Sequence, residues 1–194
     1  MITETDRLLA LDIAYTAVVV PLRGEPRWLP EPQELTGDLA EAGACFVTLR
    51  RERALLGCIG SLAPRRVLGV DVARNAAAAA FDDPRLPAVT LLDVVCMDVH
   101  VSVLSPMAAL PAHGWEDLRE GLRVGVDGLL IEVGMYRATF LPAVWESLPS
   151  PAEFLDALWR KAGLPPRVWP PGLRASRYRA TELGAPAAEL RAQA

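Results

Sequence analysis

The most regular pattern in this chain is an alternation of apolar and polar side chains between Val95 and Leu104. Its apolar members are Val95, Met97, Val99, Val101 and Val103, and the side chains between them are Cys96, Asp98, His100 and Ser102. Successive side chains of a β-strand point to opposite faces of the sheet, so the pattern predicts a strand with one face buried.

Two helices are predicted in the first half of the chain. Thr3 or Thr5 can cap the first one, which ends at Pro21 at the latest. From Pro64 to Phe81 the period becomes helical, with small apolar side chains on one face and Asp71 away from that face.

Two hairpins are predicted from runs of β-branched, aromatic and other apolar residues. The first joins strands over residues 45–49 and 55–59 through a charged turn at 50–53. The second joins strands over 129–133 and 136–140 and follows a Gly/Asp turn signal.

The second half of the chain is less regular. A smaller lobe is predicted over about 106–124, with one helical turn at 115–122. A last helix over 151–163 and an edge strand at 177–179 follow, and the Ala-rich segment 183–194 is predicted to be a flexible tail.

These elements favour an α+β fold, because strand pairs are flanked by helices without a regular βαβ alternation. The predicted architecture is a single two-lobed domain, with a mainly antiparallel sheet packed with helices in the larger lobe. With 194 residues, of which 52% are hydrophobic, the chain can build this core without a metal or disulfide.

Charge and cysteine content narrow the function classes. The net charge is −4, and the densest basic stretch is only Arg50, Arg51 and Arg53. A nucleic-acid-binding stripe is therefore not indicated, although the composition leaves that function open. Three widely spaced cysteines, an acidic start and no apolar run of about 20 residues predict a cytoplasmic protein without a membrane span.

Cys58 is the residue that could carry chemistry most directly, because it lies between Gly57 and Gly60 at the end of a predicted strand. Glycines allow a sharp turn and a close approach, and backbone N–H groups beside a thiol can form a nucleophile with its oxyanion site. A strand cysteine in an apolar segment is more often a packing residue, so both interpretations stay open. No basic residue adjoins Cys58 in the sequence to favour its thiolate.

A triad-like arrangement is also conceivable, because Asp98 could orient His100 towards Cys58. Polar residues are expected on the outer face of such a strand in any case, which favours a solvated face. His113 lies in an irregular segment, and the two histidines have no recognisable metal-site spacing.

The segment Leu55–Gly60 resembles the L-R-G-C-I-G signature of the AMMECR-type domain, the family that includes protein A of the AmmeMemoRadiSam system. Other segments resemble the family in the same order, and the resemblance covers residues 7–182. These segments are Ala44–Leu49, Asn75-Ala76, Asp83-Pro84-Arg85, Val101–Pro106, Val126–Leu129, Thr139–Pro142 with Val144-Trp145, Lys161–Pro165 and Tyr178.

The resemblance implies a compact two-lobed α+β domain with the signature near the cleft between the lobes. It also implies a Memo-type dioxygenase-like protein and a radical SAM protein as partners, and no established catalytic activity. Two positions depart from the family. Leu56 replaces the signature arginine, which removes a cation beside Cys58, and His100 stands where relatives often carry an acidic residue.

Two functional hypotheses follow. The preferred one is a binding or accessory module that holds a partner or a small ligand in the cleft, without a cofactor or metal. Its predicted ligand-binding residues are Gly57, Cys58, Ile59, Gly60, Asn75 and Asp127. The alternative is an enzyme with Cys58 as its nucleophile, acting on a small molecule or modifying a macromolecule.

Overall fold

The computed structural model describes residues 2–52 and 54–191. The helices are α1 (Glu4–Leu22), α2 (Leu68–Phe81), α3 (Leu91–Val94), α4 (Trp115–Gly121), α5 (Pro151–Ala162) and α6 (Ala187–Arg191). The strands are β1 (Ala42–Gly43), β2 (Cys45–Arg51), β3 (Ala54–Gly60), β4 (Arg66–Val67), β5 (Met97–Leu104), β6 (Ala108–Ala109), β7 (Gly128–Val133), β8 (Tyr136–Phe140), β9 (Arg174–Tyr178) and β10 (Ala180–Pro186). Helices accompany antiparallel strands, so the α+β prediction is confirmed.

Contacts between residues divide the chain into two units, Met1–Leu104 with Thr181–Ala194, and Ser105–Ala180. The second unit is larger than the lobe predicted over 106–124. It extends further because α4 shares an apolar core with β7, β8 and α5.

The first unit contains a four-stranded sheet in the order β10-β5-β2-β3. Strand β2 pairs antiparallel with both β3 and β5, which confirms the first hairpin. The predicted alternation is present, because Met97, Val99 and Val101 are fully buried among the apolar side chains of α1 and α2. The strand begins at Met97 rather than Val95, since the preceding residues form α3 and Val95 is exposed.

The turn of the first hairpin is tighter than predicted. The two strands continue to Arg51 and from Ala54, and Glu52 adopts a positive φ of 57° between them. Arg53, which belongs to the predicted basic stretch, lies outside the described residues.

Two helices cover one face of this sheet. Thr3 caps α1, because its hydroxyl accepts a hydrogen bond from the backbone N–H of Asp6. Pro21 does not end α1, which reaches Leu22, because a proline in the last turn removes only one helical hydrogen bond. In α2 the correction concerns Asp71, which was predicted away from the buried face but is fully buried.

The second unit contains a sheet in the order β6-β9-β7-β8. Strands β7 and β8 form the predicted second hairpin. The strand predicted at the edge is β9, which lies inside the sheet because the short strand β6 pairs with its outer side. Helix α5 ends at Gly163, where φ is 74°, as the glycine predicts.

Aromatic side chains fill the core of the second unit. Trp145 stacks on Phe154 with ring centroids 3.9 Å apart, and Trp115 meets Trp159 edge to face at 5.0 Å. These contacts join α4, α5 and the 3-10 helix Pro142–Glu146 into one layer over the sheet.

The segment predicted to be a flexible tail is folded as far as the structure describes it. Strand β10 lies beside β5, and helix α6 follows it. The prediction was wrong for residues 183–191, because Leu183, Ala187 and Leu190 are buried in the core of the first unit. Among the described residues, no helix has the length and apolar character that crossing a bilayer requires.

Candidate functional site

Cys58 lies on the face of the first unit's sheet that is turned away from α1 and α2. Strand register places Thr48 opposite Cys58, and His100 opposite Thr48 on the next strand. We call this face the polar face, and its members on β2, β3 and β5 are Phe46, Thr48, Arg50, Cys58, Gly60, Asp98, His100 and Ser102. Cys58 is half-buried there.

Three neighbours fix Cys58. The hydroxyl of Thr48 donates to its Sγ at 3.3 Å. Its backbone N–H donates to Asp83 Oδ2 at 3.0 Å, and its carbonyl oxygen accepts a hydrogen bond from Arg85 Nη2 at 3.0 Å. Both backbone groups of Cys58 are therefore already paired, and its N–H group is not free to bind an oxyanion.

Asp83 and Arg85 form an ion pair that binds the backbone of Cys58. The Asp83 carboxylate accepts hydrogen bonds from Arg85 Nε at 2.8 Å and Nη2 at 2.6 Å. The Arg85 guanidinium holds the pKa of Asp83 below its usual range, with the N–H of Cys58 adding to the effect against the opposing effect of burial. A cation thus contacts the backbone of Cys58, although no basic residue adjoins it in the sequence.

The position of the signature arginine is occupied by Leu56, in an irregular part of the hairpin. The register between β2 and β3 shifts between Leu49 and Arg50, which leaves Leu56 as the extra residue of a bulge. Leu56 packs against the core of the first unit.

The two glycines beside Cys58 make room for packing atoms. A Cβ atom at Gly57 would lie 1.8 Å from the carbonyl oxygen of Ala79 in α2. A Cβ at Gly60 would lie 2.2 Å from the ring of Phe46. The space beside each glycine is therefore filled by the protein itself, which differs from the open backbone expected from the sequence. Ile59, between Cys58 and Gly60, packs against the core on the helix side.

The geometry does not assemble a triad from Asp98, His100 and Cys58. A Cβ at Gly184 of β10 would lie 2.8 Å from His100 Nδ1, so the imidazole lies over β10. In the sheet order β10-β5-β2-β3, β10 is at the opposite edge from β3, which carries Cys58. Among the described residues, no hydrogen bond joins His100 to Asp98 or to Cys58. Thr48 on β2 separates His100 on β5 from Cys58 on β3.

Asn75 belongs to a buried polar cluster on the helix side of the sheet, centred on Asp71. Asn75 Nδ2 donates to Asp71 Oδ2 at 2.9 Å and to the carbonyl oxygen of Cys45 at 3.0 Å. Cys45 lies on the sheet face opposite to Cys58, so Asn75 and Cys58 do not share a site.

Four further donors converge on the Asp71 carboxylate. Arg66 Nη1 reaches Oδ1 at 2.6 Å, while the Ser61 hydroxyl, the backbone N–H of Cys45 and the Cys45 thiol reach Oδ2. Burial, together with the negative charge of Asp71, raises the pKa of the Cys45 thiol, which is therefore protonated at neutral pH.

Asp127 lies in the second unit and holds a turn there. Its carboxylate accepts hydrogen bonds from the backbone N–H of Arg123 at 3.0 Å and from the Arg123 guanidinium. Burial raises the pKa of Asp127, but the hydrogen bonds from Arg123 together with the charges of Arg123 and Arg177 outweigh burial and leave that pKa below its usual value. The side-chain indole N–H of Trp145 donates to the Asp127 carbonyl oxygen at 2.7 Å.

Sequence reasoning missed Asp71, Asp83 and Arg85 as members of the two polar clusters. The signal for Asp83 and Arg85 was present in the segment Asp83-Pro84-Arg85, which resembled the family without suggesting a role. Within residues 2–52 and 54–191, no group of three His, Cys, Asp or Glu side chains is placed to hold a metal ion.

The similarity to known proteins extends far beyond the signature segment. The model of the AMMECR1 family matches residues 11–183. The chain belongs to the AMMECR1 family. A protein of Methanothermobacter thermautotrophicus is 37% identical over 174 residues, which cover 87% of this chain and 88% of the relative.

Two relatives from Pyrococcus extend the comparison. Protein PF1979 of Pyrococcus furiosus is 37% identical over 153 residues, covering 74% of this chain and 70% of its own. The crystal structure of the uncharacterized protein PH0010 from Pyrococcus horikoshii superposes with a TM-score of 0.82 at 32% identity, covering 89% of this chain and 88% of that one. These similarities confirm the family assignment made from the signature.

Proposed function

We propose that this AMMECR1-family protein is a binding or accessory component rather than an enzyme that uses Cys58 as a nucleophile. The partners are the two that the family resemblance implies, a Memo-type dioxygenase-like protein and a radical SAM protein. The polar face around Cys58 is the surface through which it acts. The cleft between the lobes stays a prediction.

The observation that supports this proposal is the set of neighbours around Cys58. Its thiol accepts a hydrogen bond from the Thr48 hydroxyl, which is not a base, and the nearby carboxylate of Asp83 is paired with Arg85. The Arg85 guanidinium also interacts with the Cys58 side chain, but its charge is compensated by Asp83. A nucleophilic cysteine needs a base, an uncompensated cation beside its sulfur or a free oxyanion site. The N–H that could serve such a site already donates to Asp83.

The polar face offers suitable groups for recognition instead. Thr48, Cys58 and His100 form a row of half-buried polar side chains across three strands. Side chains on rigid strands present a fixed pattern of donors and acceptors, which a binding surface requires. The three cysteines are unpaired, which fits a reducing compartment, and we propose the cytoplasm on that ground.

The test is a direct binding measurement with the purified Memo-type and radical SAM proteins encoded by the same genome. We expect association in the micromolar range or tighter with at least one of them. Thr48→Arg, which places a long cation on the polar face, should weaken it by roughly tenfold or more, as a hot-spot substitution does. Gln33→Arg, at an exposed position of the 3-10 helix Pro32–Glu34, is the matched control and should leave binding unchanged.

A second variant separates binding from catalysis. Cys58→Ser keeps a polar atom beside the Thr48 hydroxyl and should retain partner binding within a few-fold. Thermal unfolding of each variant shows whether it is folded. The proposal fails if the unmodified protein binds neither partner, or if Thr48→Arg, correctly folded, binds as well as the control.

A further inference from the structure

A pocket of about 350 Å³ lies beside α2 in the first unit. It is lined by Arg27, Leu29, Arg66, Arg74, Asn75, Ala77, Ala78 and Asp82. These residues are not members of the polar face, so the pocket is separate from the surface around Cys58. The volume is at the lower end of the range for small-molecule sites.

The lining of this pocket is rich in arginine. Three guanidinium groups face a single carboxylate there, although the chain as a whole carries a net charge of −4. Arg27 is neutralised by Asp82, whose two oxygens accept hydrogen bonds at 2.6 and 2.7 Å. Arg66 is paired with Asp71, which lies outside the lining, so the uncompensated positive charge comes from Arg74.

These two arginines keep donors available. Arg66 donates Nη1 to Asp71, but its Nε and Nη2 have no partner within residues 2–52 and 54–191. Arg74 is exposed on α2, and its guanidinium makes no hydrogen bond or ion pair with any described residue. An arginine fork with free donors suits the planar oxygen pairs of carboxylate and phosphate groups.

Asn75 adds a polar atom to the wall. The residue is only 7% exposed, and the three hydrogen bonds that its Nδ2 donates go to Asp71 and to Cys45. Its Oδ1 accepts no hydrogen bond from the described part of the chain, and it is not a fully buried unsatisfied atom. A buried amide oxygen that reaches a pocket can accept a hydrogen bond from a ligand hydroxyl.

The Asp71 cluster holds this wall in place. Asp71 is fully buried and binds Arg66 at 2.6 Å and Asn75 at 2.9 Å, so both side chains are positioned before any ligand arrives. Pre-positioned donors lose less conformational entropy on binding. Ala77 and Ala78 have small side chains and leave the pocket open between the polar groups.

We propose that this pocket binds a small molecule through a phosphate or carboxylate group held by Arg66 and Arg74, with Asn75 Oδ1 accepting from a neighbouring hydroxyl. Arg27 and Asp82 line the same pocket as a neutral pair. The site neither includes Cys58 nor depends on the proposed partners.

The test is calorimetric titration of the full-length protein at low ionic strength with inorganic phosphate and, separately, with succinate. We expect binding of at least one anion in the millimolar range or tighter, weakened by added chloride because surface electrostatics are screened. Binding of phosphate alone assigns a phosphate group, binding of succinate alone assigns a carboxylate, and binding of both assigns a general oxyanion site.

The decisive variant is Arg74→Ala, which removes a side chain without partners and so should not disturb folding. It should raise the dissociation constant by roughly tenfold, the effect of losing charge-assisted hydrogen bonds. Arg160→Ala removes an exposed arginine of α5 in the second unit and should leave affinity unchanged.

A readout by arginine modification checks the location. The bound anion should protect Arg74 from phenylglyoxal, measured by mass spectrometry, and should leave the modification of Arg160 unaffected. Absence of binding by both anions, or equal affinity of the Arg74→Ala protein and the unmodified protein, overturns the proposal.

Discussion

Replacing Gly57 with alanine should destabilise the first unit strongly, because the new methyl group has no space. Its Cβ would lie 1.8 Å from the carbonyl oxygen of Ala79 and 2.7 Å from the carbonyl carbon, whereas ordinary contact begins at 3.4 Å. Helix α2 would have to retreat from β3 by about 1.6 Å, the difference between 3.4 and 1.8 Å. The obstacle is backbone, so no side-chain rotation can relieve it.

The magnitude follows from the usual cost of overpacking, about 1–3 kcal/mol when side chains alone must move. A displaced helix backbone should bring the loss to about 3 kcal/mol or more. For a chain of 194 residues this corresponds to a fall in melting temperature of roughly 6–12 °C. Urea unfolding followed by circular dichroism gives the free energy, and a thermal scan gives the temperature.

Gly114→Ala is the matched control, because its φ is extended and nothing lies within 4 Å of the added Cβ. We expect it to change stability by less than about 1 kcal/mol, the usual effect at a helix N-cap. If Gly57→Ala were as stable as Gly114→Ala, the space beside Gly57 would be open, and the glycine would serve a ligand rather than helix packing.

Two further perturbations test the buried polar groups. Asp71→Ala leaves Arg66 and the Cys45 N–H without their carboxylate, so it should reduce the free energy of unfolding, measured by urea titration, by roughly 3–5 kcal/mol. Asp82→Ala is the control, because it removes an exposed ion pair and should cost about 1 kcal/mol or less. Because the pKa of Asp83 is lowered on folding, its stabilisation is present above the ordinary aspartate value of about 3.9 and is lost as the pH falls through the folded value. Asp83→Asn should therefore be less stable than the unmodified protein at pH 6, and that difference should shrink steadily on acidification; a constant difference would contradict the assigned pairing with Arg85.

Local patterns in the sequence were sufficient for most of the elements. The alternation in β5, the Thr3 cap and the stop of α5 at Gly163 each depend on neighbouring residues alone, and all three are present. The two hairpins were predictable for the same reason, because their strands are joined by short turns.

The burial of Asp71 could not be predicted from helical periodicity. Helix α2 packs against α1 on one side and against β2 and β3 on the other, so more than one of its faces is buried. A charged residue on such a helix is buried only if distant donors compensate it. Those donors, Ser61, Arg66 and the N–H of Cys45, come from three other segments of the chain.

Tertiary contacts also determine the role of the signature glycines and the folding of the segment that follows Leu183, so neither could be predicted from local sequence patterns. A glycine indicates that something approaches closely, but the sequence does not say whether it is a ligand or Ala79. The segment 184–191 has little hydrophobic character of its own and is ordered because β10 lies beside β5.

The rate of thiol alkylation at neutral pH tests most directly whether Cys58 is a member of a recognition surface or an activated nucleophile. Cys96 is exposed, Cys58 is half-buried and Cys45 is buried, so iodoacetamide followed by mass spectrometry should label them in that order. Modification of Cys58 before the exposed Cys96 would reveal an activated thiolate and would contradict the account.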